Sequence, residues 1–153
     1  MPLLPYLISA NALLCEKILH EQDKVLSAIR IIDVFYVTKP PEDAPKEVVS
    51  MIEPHCLAIF KTQPGHQEKH LVEFKVLNTK GELKSLGDPV VAEFMARSEF
   101  GNDVPGGANA AIQISIVVKN YGTYYICVYV DGEEVTRAPL TILPLPKTAE
   151  KTG

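Results

Sequence analysis

Lys119-Asn120-Tyr121-Gly122-Thr123-Tyr124-Tyr125-Ile126-Cys127-Val128-Tyr129-Val130-Asp131-Gly132-Glu133-Glu134-Val135 is the segment from which the architecture follows. Its first half alternates β-branched and aromatic residues, which suits a pleated, half-buried strand. Asp131-Gly132 is then the kind of dipeptide that most readily takes the two positive φ values of a type I′ hairpin turn. A return strand from Glu134 to Leu143 has to run back beside the first, so the segment reads as antiparallel β. Strand alternation puts Tyr124, Ile126, Val128 and Val130 on one face and Thr123, Tyr125, Cys127 and Tyr129 on the other.

Upstream, Ala110, Ile112, Ile114, Ile116 and Val118 point inward with Gln113 and Ser115 outward, the cleanest period of two in the chain. Pro89 to Arg97 alternates Val90, Ala92, Phe94 and Ala96 against Glu93 and Arg97, and Val72, Phe74 and Val76 alternate with Glu73 and Lys75. His55 to Thr62 is apolar on both faces, which implies a central strand. Pro64 to Lys69 and Asn78-Thr79-Lys80-Gly81 read as turns, and Ser98 to Ala108 as a long Gly- and Pro-bearing crossover loop.

The N-terminal third is less clear-cut. Residues 1 to 9 form a lead-in punctuated by Pro2 and Pro5, and Ala10 to Leu19 and Lys24 to Val37 read as two strands around Glu21-Gln22-Asp23. Leu14, Cys15, Ile18, Leu19, Val25, Leu26 and Ile29 would equally make a helical stripe, so residues 13 to 29 are open to hairpin or helix. The Ile, Val, Phe and Tyr content of Ile29 to Val37 turns the reading to strand. Lys39 to Pro54 reads as a connection with one short helix, Pro45 in its first turn and Pro54 at its end.

Roughly eight short strands at spacings of about ten residues fit a sandwich better than a parallel α/β sheet. The expected fold is an all-β, antiparallel β-sandwich with at most one or two short helices. It spans residues 1–146 as a single domain, with a disordered tail at 147–153.

The bulk properties bound the function classes. A chain of 153 residues buries roughly 70% of the surface its unfolded form exposes, so it needs no metal or disulfide to complete a core. With 22% charged and 46% hydrophobic residues, it has a globular rather than a disordered composition. The net charge of −4 and scattered Lys and Arg argue against nucleic acid as a primary partner. Cys15, Cys56 and Cys127 are far apart, form no C-x-x-C pair and sit in apolar contexts, as small buried hydrophobes do. Met1 to Leu14 lacks the basic start of a signal peptide, Leu14 fills the position where a lipoprotein box needs a small residue before Cys15, and no apolar run reaches membrane-spanning length. A cytoplasmic protein without membrane contact is expected.

Gly122-Thr123-Tyr124-Tyr125-Ile126 resembles the F strand of immunoglobulin-type sandwiches. In that fold a tyrosine two residues before the second disulfide cysteine returns its hydroxyl to the backbone, the tyrosine corner. The resemblance implies the corner role for Tyr124 and the cysteine's core position for Ile126. This chain has no Trp, so the buried strand-C tryptophan of that fold has no counterpart. Taken whole, the chain also resembles a group of uncharacterised bacterial cytoplasmic proteins of similar length. Gly122, Tyr124, Asp131-Gly132 and Pro139-Leu140-Thr141-Ile142 carry that likeness, which implies the fold and no activity.

Few constellations point to chemistry. His66-x-x-x-His70 has the spacing of helical metal ligands, but the pair runs from a Pro-Gly turn into a strand, where residues four apart lie about 13 Å from each other unless a local turn brings them together. With no third ligand evident nearby, the pair reads as two solvated histidines. Gly101 to Gly107 lacks the Lys-Ser/Thr ending of a phosphate loop. Ser98 and Glu99 have no neighbouring histidine, and no Gly-x-Ser-x-Gly elbow occurs. No catalytic, cofactor-binding or metal residue is therefore expected, nor any cofactor.

Thr123, Tyr125 and Tyr129 are the candidate interface instead. Two tyrosines and a cysteine make a poor solvent face, so either a partner covers them or the segment Leu3 to Ile8 does. The expected function is a non-catalytic interaction or scaffold domain that self-associates or binds a protein. The alternative is a small-ligand or carbohydrate-binding domain that uses the loop at 98–108.

Overall fold

The Asp131-Gly132 turn forms as its residue types require, with φ of +49° at Asp131 and +84° at Gly132 in a computed structural model. The structure describes residues 4–22, 25–38, 50–96 and 104–145. The turn joins β11 (Gly122–Val130) to β12 (Glu133–Pro144), with Val130 paired to Glu133. Val128 pairs with Thr136 but Tyr129 with Glu134, so Val135 is the extra residue of a β-bulge. The bulge shifts the side-chain phase by one. Val135 within it and Ala138, Leu140 and Ile142 after it are all buried.

On its other side β11 pairs with β6 (Glu68–Leu77), which is bordered by β8 (Val90–Phe94) along its first half and β7 (Leu83–Ser85) along its second. The far edge of this sheet is β3 (Val34–Val37), parallel to β12. The facing sheet has the order β2 (Leu26–Ile31), β1 (Leu7–His20), β5 (His55–Thr62) and β9 (Gly106–Gln113). A two-stranded pair, β4 (Ser50–Ile52) with β10 (Ile116–Val118), completes the described strands. The described residues contain no helix, so the all-β sandwich reading holds. The runs β12-β11-β6 and β1-β5-β9 reproduce the G-F-C and A-B-E orders of the immunoglobulin sandwich.

The tyrosine corner is present. Tyr124 is 4% exposed and its hydroxyl donates to the Asn120 carbonyl at 2.7 Å. Ile126, where that fold places its second cysteine, is fully buried.

Residues 13 to 29 form a hairpin and not a helix: Lys17 pairs with Ile29 and Leu19 with Ser27 across β1 and β2. Three expectations need correction. Lys24 to Val37 is not one strand, because Arg30 takes a left-handed φ of +54° and the chain bends at Asp33. It thereby passes from the β1 sheet to the β12 sheet, where Thr141 N–H donates to the Asp33 carbonyl. Likewise, Ala110 to Val118 keeps its inward phase but breaks at Ile114-Ser115 into β9 and β10, and Ile114 N–H donates to the Pro54 carbonyl. The described end of the expected loop at 98–108 is strand from Gly106 onward. There a Cβ on Gly106 would lie 2.0 Å from the Met95 carbonyl oxygen, and one on Gly107 2.0 Å from that of Phe60. Glycine is read there as close backbone approach rather than flexibility. The expected helix within 39–54 falls mainly on residues outside those described, except that Ser50–Ile52 is strand. The tail at 147–153 also lies outside them.

These splits, with the short β4 and β7, account for more strands than the sequence pattern implied. The inward phase predicts that Ile114→Ala or Ile126→Ala lowers stability by about 2–4 kcal/mol, whereas outward Gln113→Ala changes it by less than about 0.5 kcal/mol. Urea melts of the three variants check this, and a reversed order would put the strand phase off by one.

Candidate functional site

The outer face of the β6–β11–β12 sheet is built in rows by the register. Leu77, Tyr125 and Pro139 form one row, Lys75, Cys127 and Arg137 the next, and Glu73, Tyr129 and Glu134 the third. Cys127 is 1% exposed at the centre, although it points away from the core. Its neighbours bury it. The Arg137 guanidinium lies 5.5 Å from the Tyr125 ring centre and the Lys75 ammonium 4.4 Å from that of Tyr129, within cation–π reach. Glu134 fixes Arg137 through paired hydrogen bonds of 2.6 and 3.0 Å. Thr123, at the margin, shares a 2.9 Å hydroxyl hydrogen bond with Thr141.

Tyr125 and Tyr129 are half-buried and Thr123 is exposed, so all three sequence candidates share one face. Among the described residues the alternative cover does not form there: Leu4, Tyr6 and Leu7 pack with the core cluster inside the sandwich. Burial, then the Glu134 charge, raises the Cys127 thiol above its usual range. Cys56 is pushed up to about 12 by burial first and the nearby Cys15 second. All three cysteines are free and buried, as small hydrophobes are.

The solvated-histidine reading is overturned. His70 shares the inward phase of Val72, Phe74 and Val76 on β6, and its imidazole enters the end of the core with 5% exposure. It meets Phe94 edge to face at 4.8 Å and stacks on Tyr6 at 4.4 Å. His66 precedes β6. The Pro64-Gly65 turn, with Gly65 at φ +81° and His66 N–H donating to the Gln63 carbonyl, curls the chain before extended structure begins. The strand spacing therefore does not apply. His66 lies on the same Tyr6 ring at 4.5 Å, nearly coplanar with His70, and the two Nε2 atoms are 2.8 Å apart. The clue available in the sequence was the even phase of His70 with a turn just before it.

The turn completes the cluster. The Asp131 N–H donates to the Leu71 carbonyl, and Asp131 Oδ1 accepts the Leu71 N–H at 2.9 Å. Asp131 Oδ2 sits 2.6 Å from His70 Nδ1 and accepts the Tyr6 hydroxyl at 3.4 Å. A carboxylate only accepts, so His70 Nδ1 carries the proton. Neutral His70 then has a bare Nε2, which accepts from the N–H of His66 Nε2. Glu68 Oε2 lies 3.9 Å from His70 Nε2. For Asp131, burial pulls the carboxyl pKa upward, but the Leu71, His70 and Tyr6 hydrogen bonds outweigh it and hold the pKa below the ordinary value. Burial, and then the Asp131 charge, pushes the Tyr6 phenol up to about 12.

The described residues also form concave surfaces. A groove of about 690 Å³ between the β6–β7 hairpin and β9–β10 is lined by Leu83, Leu86, Gln113, Ile116, Lys119 and Tyr124, among others. A depression of about 200 Å³ lies over Phe60, Met95 and Gly106 to Asn109, beside the described end of the segment at 98–108. No helix among the described residues is long and apolar enough to cross a membrane.

No protein-family model matches the chain, nor does any curated protein sequence. Among solved structures, it is similar to the Pseudomonas fluorescens alkylpurine DNA glycosylase AlkC bound to DNA containing an abasic site analog, with 11% identity and a TM-score of 0.41. That match covers 72% of this chain and 27% of the glycosylase chain, so this chain spans about a quarter of that protein's length. A likeness of this size carries no argument about function.

The Asp131 carboxylate gives a pH-dependent expectation. Its pKa is lower in the folded than in the unfolded chain, so its contribution to stability is complete above the ordinary carboxylate range and is lost as pH falls through the folded value. Asp131→Asn is expected to lower stability at neutral pH by about 1 kcal/mol, a modest loss because the side chain is half-exposed. Urea melts of both chains should show the gap closing below the ordinary value of 3.8. A gap that widened there would contradict the assignment.

Proposed function

We propose that this chain is a non-catalytic β-sandwich interaction domain that self-associates through the outer β6–β11–β12 face. The observation that carries the reading is Tyr125 and Tyr129, flanking buried Cys127 on that face and each backed by a cation. Tyrosine presents a large rigid area at low entropic cost and keeps a hydroxyl for the rim. The face also carries Lys75 and Arg137 against Glu73 and Glu134, so it is charge-balanced although the chain has a net charge of −4. A two-fold interface presents one patch to itself, and only a balanced patch does so without self-repulsion. In this reading the partner is protein, not nucleic acid or membrane, and the setting is the cytoplasm.

The alternative, binding of a small ligand or carbohydrate, is favoured by one observation. The larger groove brings Asn78, Gln113, Lys119 and Asn120 around apolar Leu83 and Leu86, a mixed lining that suits a polar ligand. That groove lies at the β6–β7 hairpin, whereas most of the segment at 98–108 named for this alternative lies outside the described residues.

Light scattering on the purified chain tests the first reading. The wild type is expected to show twice the monomer mass at high concentration. The Tyr125→Glu/Tyr129→Glu pair should show the monomer mass, with its β-type circular dichroism spectrum unchanged. A wild type that stays monomeric, or a folded double variant that keeps the dimer mass, would falsify the self-association reading.

A further inference from the structure

We propose that His66, Glu68 and His70 form a binding site for one divalent first-row transition-metal ion, zinc being the best match, with Asp131 as the outer carboxylate that orients His70. The site is independent of the tyrosine face.

Among the described residues, these three side chains place one donor atom each within 4.8 Å of one another. Two imidazoles and a carboxylate are a donor set suited to zinc and its neighbours in the first row. The head-on approach of the two Nε2 atoms at 2.8 Å is the central observation. Two imidazole nitrogens that face each other repel through their lone pairs unless a positive centre lies between them. A shared proton supplies it in the metal-free chain, and a metal ion is the other group that can.

The surroundings fix one ligand and leave the others able to adjust. His70 is 95% buried, clamped between Tyr6 and Phe94, with its Nδ1–H tied to Asp131. Such a carboxylate–histidine pair selects the tautomer whose Nε2 is free to ligate and raises its basicity. Asp131 is fixed in turn by the Leu71 amide. A tetrahedral ion about 2.05 Å from each nitrogen would hold them roughly 3.3 Å apart. The pair therefore has to open slightly from 2.8 Å, and Glu68 has to close in from 3.9 Å. His66, in the turn before β6, and Glu68, whose side chain is 67% exposed, can make both moves without disturbing the core.

The test is calorimetric titration of the untagged, chelator-treated chain with zinc chloride, followed by cobalt(II) absorption. One equivalent is expected to bind with a dissociation constant in the micromolar range or tighter. The cobalt spectrum should be of the tetrahedral nitrogen–oxygen type, without the charge-transfer band that the cysteines would give. His66→Gln and Glu68→Gln alter exposed or half-exposed side chains and should stay folded, and each should weaken binding by at least about tenfold. Asp131→Asn should weaken it by about 10–100-fold, as outer-shell changes do, while His20→Gln, at an exposed position outside the cluster, should leave it unchanged. Absence of saturable binding would overturn the proposal and leave the proton-sharing pair as a structural contact. Binding that survived both His66→Gln and Glu68→Gln would overturn it as well.

Discussion

Asp131 occupies a left-handed backbone conformation that few side chains tolerate, and aspartate tolerates it because its short carboxylate bonds locally. Here the carboxylate reaches across to β6. One oxygen takes the Leu71 amide and the other takes His70 and Tyr6. The turn is therefore anchored at both its backbone and its side chain, which sets the return of β12. Much depends on that return, since β12 pairs with β11 on one side and carries β3 in parallel on the other. The same carboxylate settles which nitrogen of His70 is protonated, so the chemistry of the histidine pair follows from the geometry of a hairpin.

The two candidate surfaces lie on β6 and β11 and belong to opposite faces. Tyr125 and Tyr129 point out from the sheet, while His70 points into the sandwich near the Asp131 turn. The tyrosine face is held by cations from neighbouring strands and stays partly open. The histidine cluster is backed by aromatic rings, with Phe94 stacked in turn on Phe60 at 5.2 Å. A low-dielectric wall of that kind strengthens the polar contacts made against it and makes unpaired ones costly.

What could be read from the sequence was local. The Asp-Gly turn, the period of two through Ile112 to Val118 and the tyrosine corner at Tyr124 each depend on residues close together in the chain, and each is found. What escaped depends on tertiary context. The switch of sheets at Asp33 follows from a left-handed Arg30, a residue type with no such preference. Gly106-Gly107 looked like a loop because glycine marks both flexibility and close approach, and only the neighbouring carbonyls tell these apart. The meeting of the histidine pair depends on how tightly the Pro64-Gly65 turn curls, which spacing alone does not fix. His70 was already marked as inward by its phase with Val72, but its partners Asp131 and Tyr6 lie 61 and 64 residues away and could not be inferred from spacing.

The protonation pattern of the cluster is the most direct test of the role given to Asp131. Long-range proton–nitrogen correlation spectra of the 15N-labelled, metal-free chain, recorded where both histidines are neutral, report each ring nitrogen separately. The expected result is a protonated Nδ1 and a bare Nε2 for His70, with a protonated Nε2 for His66. A protonated Nε2 with a bare Nδ1 on His70 would contradict the account, because Asp131 would then have no proton to accept.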